Sequence, residues 1–324
     1  MKADAEITVV IPTWNRRDLL RQCLRSLQAQ TVQPEVLVID NGSTDGTLQM
    51  LGNEFSGVDF LPLGRNIGFA AAVNAGIDRV STHHVALLNN DTEADANWVE
   101  RGLEAMRQHP DFHFFACRMV DFEDRRLLDS AGDRYGKTGL PTKRGLGEPI
   151  ENYPAEEEVL GASAGAAFYR MALFRAIGLF DPDYFTYLED VELSLRARLH
   201  GYRCLYLPQA VVYHIEAGSD PGRAAPGTSR PRSGIYTPDR VYWITRNRWQ
   251  LMVSYQPLRY TPWLATGWAR SALFHLLKAG YSGAFFRGLA AGMFRTPRAL
   301  RKRLRLSRSR TISTRELCRQ LRRF

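Results

Sequence analysis

The feature that most constrains the fold is the alternation of short β-branched runs with helical periodicity over the first 90 residues. The strand-like runs are ITVVI (7–11), EVLVID (35–40), a short stretch at 60–63 and HVALL (84–88). The helical stretches between them are 16–30, 47–55 and 68–80. Uniformly apolar strands alternating with helices are typical of buried parallel strands. We therefore expect an α/β fold, a Rossmann-like, mostly parallel sheet flanked by helices.

Two local signals set the first boundaries. Pro12 is expected to stop the first strand because it lacks a backbone N–H. Asn15 is expected to cap the helix that follows. Further along, residues 120–160 are charged and glycine-rich without a clear period, and residues 217–233, rich in Gly, Pro, Ser and Arg, predict a loop.

Charge divides the chain into two parts. The 324 residues carry a net charge of +9, but residues 240–324 contain 19 Lys and Arg against one acid, Glu316, for a charge of +18. Residues 1–239 therefore carry −9. We assign residues 1–235 to one domain and residues 236–324 to a C-terminal helical, basic extension. A basic extension on an acidic body indicates an anionic partner, either a membrane surface or nucleic acid.

The extension is aromatic and apolar over residues 263–294, but charged residues interrupt it too often for a spanning helix. An interfacial amphipathic helix fits this pattern. No signal-peptide pattern precedes the first strand, and the four cysteines are scattered without a CxxC pair. We expect a cytoplasmic protein in a reducing compartment.

Polar residues follow each predicted strand, at the edge where α/β sheets bind ligands. Asp91, next to Asn89 and Asn90, offers an oxygen ligand for a divalent cation, or it caps a helix beginning near Glu93. His214 ends the run 210–213 and would either bind the same ion or serve a structural role.

An acidic cluster opens a predicted helix after the aromatic stretch 184–187. Glu189 and Asp190 are adjacent carboxylates beside an aromatic wall, conditions that suit a general base. The alternative is an acidic first helical turn favoured by the helix dipole. For Glu192 we prefer that alternative, with an i,i+4 pair to Arg196.

Glycine-rich phosphate loops are missing after the first strand. Neither GxGxxG nor GxxxxGK[ST] occurs there, which argues against a dinucleotide-dependent oxidoreductase and a P-loop NTPase. Asp40 ends the second strand before a turn, where an acidic residue accepts hydrogen bonds from a ribose or base or simply shapes the turn.

Six ordered blocks over residues 7–216 resemble family 2 glycosyltransferases, most closely the rhamnosyltransferase-like branch. The blocks are VVIPTWNR (9–16), VLVIDNGSTDGT (36–47), GRNIGFAAAVNAG (64–76), LLNNDT (87–92), FDPDYFTYLEDVELSLRARLHGY (180–202) and LYLPQAVVYH (205–214). The resemblance implies a GT-A fold and an inverting transfer from a nucleotide-sugar donor.

The resemblance also implies roles for residues at the sheet edge. The nucleotide sugar would be bound by Pro12, Thr13, Asn15, Asp40, Asn66, Gly68, Asn74 and Asn90. Mg²⁺ or Mn²⁺ would be held by Asp91 and His214, while Asn89 stands where the family's metal motif has its first Asp. Asp190 would be the base that deprotonates the acceptor hydroxyl, and the acceptor side would be formed by Glu189, Gly161, Ala162 and Ser163.

The substrates and partners follow from the same resemblance. The donor would be dTDP-rhamnose or a UDP-sugar, and the acceptor a glycan or polyprenyl-diphosphate-linked saccharide in bacterial cell-wall and surface polysaccharide synthesis. We expect a peripheral position on the inner face of the cell membrane and no nucleic-acid partner, and leave a homo-oligomer open. The alternative is a nucleic-acid- or membrane-binding protein on an inactive GT-A scaffold. A glycosidase, which uses two separated carboxylates, does not fit the six blocks.

Overall fold

The computed structural model describes residues 5–215, 237–277 and 281–323, which form twelve strands and eleven α-helices. The strands are β1 (Ile7–Thr13), β2 (Glu35–Asp40), β3 (Asp59–Pro62), β4 (His84–Leu88), β5 (Thr92–Ala94), β6 (Phe114–Asp121), β7 (Leu128–Ser130), β8 (Asp133–Tyr135), β9 (Pro141–Lys143), β10 (Glu157–Val159), β11 (Ala166–Arg170) and β12 (Cys204–His214). The helices are α1 (Arg17–Gln28), α2 (Thr47–Glu54), α3 (Phe69–Ile77), α4 (Trp98–Gln108), α5 (Met171–Ile177), α6 (Glu189–Leu199), α7 (Pro238–Tyr255), α8 (Thr261–Leu277), α9 (Ser282–Phe294), α10 (Thr296–Ser309) and α11 (Thr314–Arg323).

Ten strands form one mixed sheet in the order β10-β12-β6-β11-β4-β1-β2-β3, with β5 beside β12 and β7 beside β6. Strands β4, β1, β2 and β3 are parallel. Strand β11 runs antiparallel between β4 and β6, and β12 is parallel to β6. The predicted α/β sheet flanked by helices is confirmed, and the half predicted from the sequence is parallel. The other half, of which only β7 and β10 lie within residues 120–160, adds antiparallel strands.

Strand β1 lies inside the sheet, between β4 and β2, and carries apolar side chains on both faces. Val9 and Ile11 pack into one core with α1 and α4, whereas Val10 packs into a second core on the opposite face with α3. Alternate side chains of a strand point to opposite faces, so a strand buried on both sides must be apolar throughout. The helices therefore cover both faces of the sheet and leave the ends of its strands open.

The first strand does not stop at Pro12, as the sequence suggested, but continues to Thr13. Its pairing with β4 ends at Val10, opposite Leu87, while its pairing with β2 continues to Thr13, opposite Asp40. Proline is tolerated where a strand has a neighbour on one side only. The extra residues carry Thr13 to the same level as Asp40.

The predicted N-cap of α1 is wrong. Asn15 has a positive φ of 52°, and its Oδ1 accepts a hydrogen bond from the backbone N–H of Thr44 at 2.7 Å. The first N–H of the helix, that of Arg17, donates instead to Oδ2 of Asp45 at 2.9 Å. An acid from the next loop therefore caps α1, and Asn15 connects the loops after β1 and β2.

The C-terminal extension packs on the sheet domain. One hydrophobic core combines α6 side chains such as Leu195 with Leu251 and Tyr255 of α7 and Leu306 of α10. Near the end of the chain, the N–H of Thr311 donates to the carbonyl of Leu199. The predicted loop at 217–233 and the predicted domain boundary lie outside the described residues. Among the helices that the structure describes, none has the length and apolar character to cross a bilayer.

A buried ionic network joins α6 to the extension. Glu192 is fully buried and bonds Arg196 through two contacts of 2.9 and 3.1 Å. Lys302 of α10 lies 2.7 Å from the same carboxylate, and the Tyr255 hydroxyl donates to it. The predicted Glu192–Arg196 pair is confirmed, although it is buried. Burial alone would raise the pKa of Glu192, but the charges of Arg196 and Lys302 outweigh it and hold the pKa at about 2.

This network predicts acid sensitivity. Because the folded-state pKa of Glu192 lies below its usual 4.5, the carboxylate stabilises the fold above pH 4.5 and loses that contribution as the pH falls toward 2, a total of about 3 kcal/mol. In urea unfolding, the free energies of unfolding of wild type and Glu192→Gln should therefore differ most at neutral pH. The difference should decrease below pH 4.5. Glu54→Gln, which removes an exposed pair with Arg21, is the control and should change the free energy of unfolding much less. A difference in free energy of unfolding that does not change with pH would contradict the prediction.

Candidate functional site

The carboxyl ends of β1, β2 and β4 bring three of the predicted nucleotide-site residues together. Thr13 lies opposite Asp40 in the β1–β2 ladder, and the Asn90 side-chain amide donates to the Thr13 hydroxyl at 2.7 Å. Asp40 accepts the backbone N–H of Ser43 through both carboxylate oxygens at 3.2 Å, which shapes the loop after β2. All three side chains are buried. These hydrogen bonds hold the polar groups at this edge of the sheet in place, and Pro12 lies buried inside β1.

The loop before α3 is held to β2 by Asn41. Its amide donates to Oδ1 of Asn66 at 3.1 Å, and its Oδ1 accepts the N–H of Ile67 at 2.9 Å. Asn66 in turn accepts the N–H of Gly68 at 2.9 Å. Gly68 has a φ of 91°, and a Cβ there would lie 2.5 Å from the ring of Phe185, so no other residue fits this position. Asn66 and Gly68 therefore lie beside the carboxyl end of β2, at the sheet edge where the nucleotide was predicted to bind.

Asn74 bonds the backbone of a residue far away in the sequence. Its amide nitrogen donates to the carbonyl of Phe180 at 2.8 Å, and its amide oxygen accepts the Phe180 N–H at 3.0 Å. Both ends of the amide are thus used by the backbone of one distant residue. The side chain connects α3 to the segment before α6, and the nucleotide contact predicted for Asn74 stays a prediction.

A row of alternating charges connects the turn after β4 with β7, β9 and β12. His214 Nε2 lies 3.4 Å from Asp91 Oδ1, and His214 Nδ1 lies 3.0 Å from Asp129 Oδ2. Lys143 reaches both oxygens of Asp129, at 2.7 and 2.9 Å. The alternative of a helix cap for Asp91 is wrong, because residues 92–94 form β5. Asp91 and His214 are therefore adjacent, as a shared ion requires.

Electrostatics in this row favour a cation between the carboxylates. Burial alone would lower the pKa of His214, but Asp91 and Asp129 outweigh it and raise the pKa to about 10. A metal ion would replace that proton, because imidazole ligates metals in its neutral form.

The donor set fits Mg²⁺ or Mn²⁺. An aspartate oxygen and an imidazole nitrogen suit such ions, and Asp129 at Nδ1 would direct Nε2 toward the ion. Among the described residues, no group of three or more His, Cys, Asp or Glu could hold a metal. Oxygens of a bound diphosphate would complete the coordination, as is usual for Mg²⁺ with phosphate substrates.

The second half of the site is a cluster of three carboxyl groups. Asp190 is partly exposed, whereas Glu189 and Asp133 are 6% and 5% exposed, and each of these two has a buried oxygen that accepts no hydrogen bond among the described residues. Burial raises the pKa of all three. The charge of Asp190 raises the pKa of Glu189 and Asp133 further. Of the three, Asp190 is the carboxylate accessible to a substrate.

One short segment joins the two halves. The N–H of Ala164 donates to Asp190 Oδ2 at 3.2 Å, and the carbonyl of Gly165 accepts the N–H of Asn89 at 2.8 Å. Asp190 Oδ1 also accepts the N–H of Val191 at 2.8 Å. The proposed base and the end of β4 are therefore held at a fixed separation by two consecutive residues.

The small residues before this segment serve helix packing. A Cβ on Gly161 would lie 2.0 Å from the Ser194 hydroxyl of α6, and the Gly161 carbonyl accepts the N–H of Asp133. Ala162 is 1% exposed. Of the three small residues expected on the acceptor side, Ser163 alone is partly exposed. The expectation that Gly161 and Ala162 leave room for a sugar is therefore corrected.

Three residues of the site, Asp129, Asp133 and Lys143, were not predicted from the sequence. They lie on β7, β8 and β9, short strands in the region without a clear period. The signal that could have found them is the pair of aspartates on either side of Ser-Ala-Gly, since acids are rare in apolar strands unless they are paired.

Comparison with known proteins shows the family. The model for glycosyl transferase family 2 matches residues 8–178. A relative from Mycobacterium tuberculosis, an N-acetylglucosaminyl-diphospho-decaprenol L-rhamnosyltransferase, is 28% identical over 76% of this chain and 89% of its own length. The O-antigen biosynthesis protein RfbC of Myxococcus xanthus is 26% identical over 82% of this chain and 20% of its own length.

Solved structures show the fold. S. aureus TarS residues 1–349 align with a TM-score of 0.54 and 17% identity, covering 98% of this chain and 91% of that one. GalNAc-T7, solved with UDP, GalNAc and Mn²⁺, aligns with a TM-score of 0.62 and 15% identity over 91% of this chain and 58% of its own. These neighbours are GT-A proteins, so the predicted GT-A fold is confirmed.

The carboxyl cluster predicts opposite effects of two substitutions. Because the pKa of Asp133 is raised, ionising this side chain costs stability as the pH rises above 3.8, and Asp133→Asn should raise the Tm at pH 8. That increase should shrink toward pH 4. Differential scanning fluorimetry across this range would measure it.

Asp129→Asn is the matched control four residues earlier. Burial alone would raise the pKa of Asp129, but Lys143 and His214 outweigh it and lower the pKa, so this substitution should reduce the Tm. Equal shifts in the same direction for both variants would contradict this electrostatic description.

Proposed function

The chain belongs to glycosyl transferase family 2, and on that premise we propose an inverting, metal-dependent transfer of a sugar from a nucleotide-diphosphate donor to an acceptor hydroxyl. That the protein is a glycosyltransferase is shown by the family match. The observation that supports the mechanism is the position of the two halves of the site. The Asp91–His214 pair and Asp190 lie at the same edge of the sheet, joined through Ala164 and Gly165.

We propose Asp190 as the base. Its two oxygens each accept one backbone N–H, which fixes the orientation of the carboxylate, and burial raises its pKa and so its strength as a base. The acceptor hydroxyl transfers its proton to Asp190 as its oxygen bonds to the anomeric carbon. The bond from that carbon to the diphosphate oxygen breaks with its electron pair, and nucleoside diphosphate leaves.

The leaving diphosphate requires positive charge. Asp91 and His214 would hold Mg²⁺ or Mn²⁺, which when bound neutralises the charge that develops on the leaving group. Asp129 holds His214 by its other ring nitrogen, and Lys143 balances the charge of Asp129. Thr13, Asp40 and Asn90 would bind the nucleoside at the adjacent edge, where a nucleotide lies in comparable sheets.

We propose dTDP-rhamnose or a UDP-sugar as the donor and a lipid-linked saccharide of a cell-surface polysaccharide as the acceptor. The rhamnosyl donor is supported by the name of the M. tuberculosis relative, an L-rhamnosyltransferase acting on a diphospho-decaprenol-linked sugar. A UDP-sugar is supported by the TarS structure solved with UDP-GlcNAc, which aligns with a TM-score of 0.55 and 17% identity.

We propose that the extension places the enzyme on the inner face of the cell membrane. Large apolar side chains of α8, α9 and α10 are exposed to solvent. They are Trp263, Leu273, Phe274, Leu276, Leu277, Phe286, Met293, Phe294, Leu300 and Leu304. The same helices expose arginines, among them Arg301 and Arg305 beside Leu300 and Leu304. Apolar side chains next to basic ones fit an anionic lipid surface, where a polyprenyl-linked acceptor would be presented.

Two substitutions separate binding from turnover. With a panel of dTDP-rhamnose and UDP-sugars, Asp91→Ala should abolish the metal-dependent part of donor binding, because it removes the carboxylate ligand. Asp190→Asn should leave binding nearly unchanged and lower turnover by roughly 10²- to 10⁴-fold. Calorimetric titration with and without Mg²⁺ or Mn²⁺, together with release of nucleoside diphosphate, would measure both effects.

Asp111→Asn, at an exposed aspartate away from the site, is the control for loss of charge. A wild type that binds no nucleotide sugar under any metal condition would overturn the proposal. Normal turnover by Asp190→Asn would overturn the assignment of the base.

Membrane binding is tested on the full chain. The wild type should sediment with vesicles of phosphatidylcholine and phosphatidylglycerol, less with phosphatidylcholine alone and less at high salt. The double variant Leu300→Glu, Leu304→Glu should bind at least about tenfold more weakly, because a buried leucine contributes about 1.5–3 kcal/mol. Leu146→Glu, at an equally exposed leucine of the sheet domain, is the control. Binding to a random DNA duplex but not to vesicles would contradict the membrane assignment.

A further inference from the structure

The segment that leads into α6 has an unusual backbone. Phe185, Tyr187 and Leu188, directly before Glu189 and Asp190, have positive φ values of 60°, 66° and 68°. Residues with a β-carbon rarely adopt this region, because the Cβ approaches the carbonyl oxygen. Such a conformation persists where the surrounding structure holds it. Whatever holds this segment therefore also sets the position of the carboxylates that follow it.

The residue that holds the segment is Asn247 of α7. Its side-chain nitrogen donates to the carbonyls of Tyr184, Thr186 and Tyr187 at 2.8, 2.9 and 2.7 Å. Asn247 is fully buried, and its Oδ1 accepts Nε of Arg246 at 2.9 Å, which fixes the direction of the amide. The two N–H groups of one side chain of the extension thus lie within hydrogen-bond distance of three carbonyls of the strained segment.

A second set of contacts supports the same segment. The Arg246 guanidinium donates to the carbonyl of Asp183 and lies 4.3 Å from the ring centroid of Trp243. Trp243 stacks on Phe185 with ring centroids 4.6 Å apart and an angle of 16°. The Phe185 ring in turn lies against Gly68, so closely that a Cβ on Gly68 would collide with the ring. The contacts run from α7 through the segment to the loop that carries Asn66 and Gly68.

We propose that Asn247 is a positioning residue for transfer, setting Glu189 and Asp190 by holding the backbone of residues 184–188. The inference rests on the proposed function of Asp190. An amide is suited to this position because its nitrogen is a pure donor facing carbonyl oxygens, while its oxygen accepts from the neighbouring guanidinium. Without it, three carbonyls lose a buried donor and the positive-φ segment loses the contact that opposes its relaxation.

The test compares Asn247→Ala with Ser254→Ala in the full-length protein. Ser254 is a buried polar residue of the same helix, but its hydroxyl donates to Ala299 of α10 and not to the segment before α6. Two readouts are needed, both taken at the same interval below the Tm of each variant. One is hydrogen exchange of the peptides spanning 181–192, and the other is kcat and donor KM.

In Asn247→Ala we expect exchange in residues 181–192 to increase at least about tenfold with no matching increase in α10. We expect kcat to fall about 100-fold, because small displacements of catalytic groups have effects of that size, and donor KM to change much less. Ser254→Ala should change neither the exchange of that segment nor kcat beyond about twofold.

Unchanged exchange in residues 181–192, or a kcat equal to that of Ser254→Ala, would overturn the inference. A wild type that turns over no nucleotide sugar would overturn the proposed function. The exchange measurement needs no substrate, so it would still test the role of Asn247 in that case. Asn247→Asp is the second variant, since it keeps the size of the side chain and removes both donors. It should reproduce the loss of kcat, and an active Asn247→Asp would also overturn the inference.

Discussion

Buried negative charge is the constraint on which the rest of this structure depends. Asp91, Asp129, Asp133, Glu189 and Asp190 converge on one edge of the sheet. Lys143 and His214 are the cations whose contacts with these groups define the row beside Asp129. Burying several carboxylates is costly unless they are paired or share protons. Lys143 on β9 pairs with Asp129 and His214 on β12 pairs with Asp91, while burial raises the pKa values of Asp133, Glu189 and Asp190.

The order of apolar and polar residues along the chain predicted the strands whose structure depends mainly on neighbouring residues in the sequence. The runs at 35–40 and 84–88 form strands with the predicted bounds, because residues buried on both faces must be apolar throughout. The adjacency of Asp91 and His214 followed from the family resemblance, and the structure brings them together. The residues at the carboxyl ends of the parallel strands could therefore be predicted from the sequence.

The remainder depends on contacts between residues far apart in sequence. Asn74 and Asn247 both bind backbone groups of the segment before α6, from positions 106 residues before Phe180 and 60 residues after Tyr187. No spacing rule predicts such pairs, because a buried asparagine looks the same whether its amide meets a ligand or a carbonyl. The same holds for Asp45, which caps a helix that precedes it in the chain.

The two ends of α6 are both attached to the C-terminal extension, at Asn247 by its start and at Thr311 and Ser309 by its end. The family match ends at residue 178, before this helix begins. The helix bearing the proposed base therefore lies outside the family match and is held at both ends by the extension. A chimera designed to exchange acceptor specificity should therefore exchange α6 and the extension together and keep β12, whose His214 lies beside Asp91, since a junction inside the extension would separate the helix from its supports.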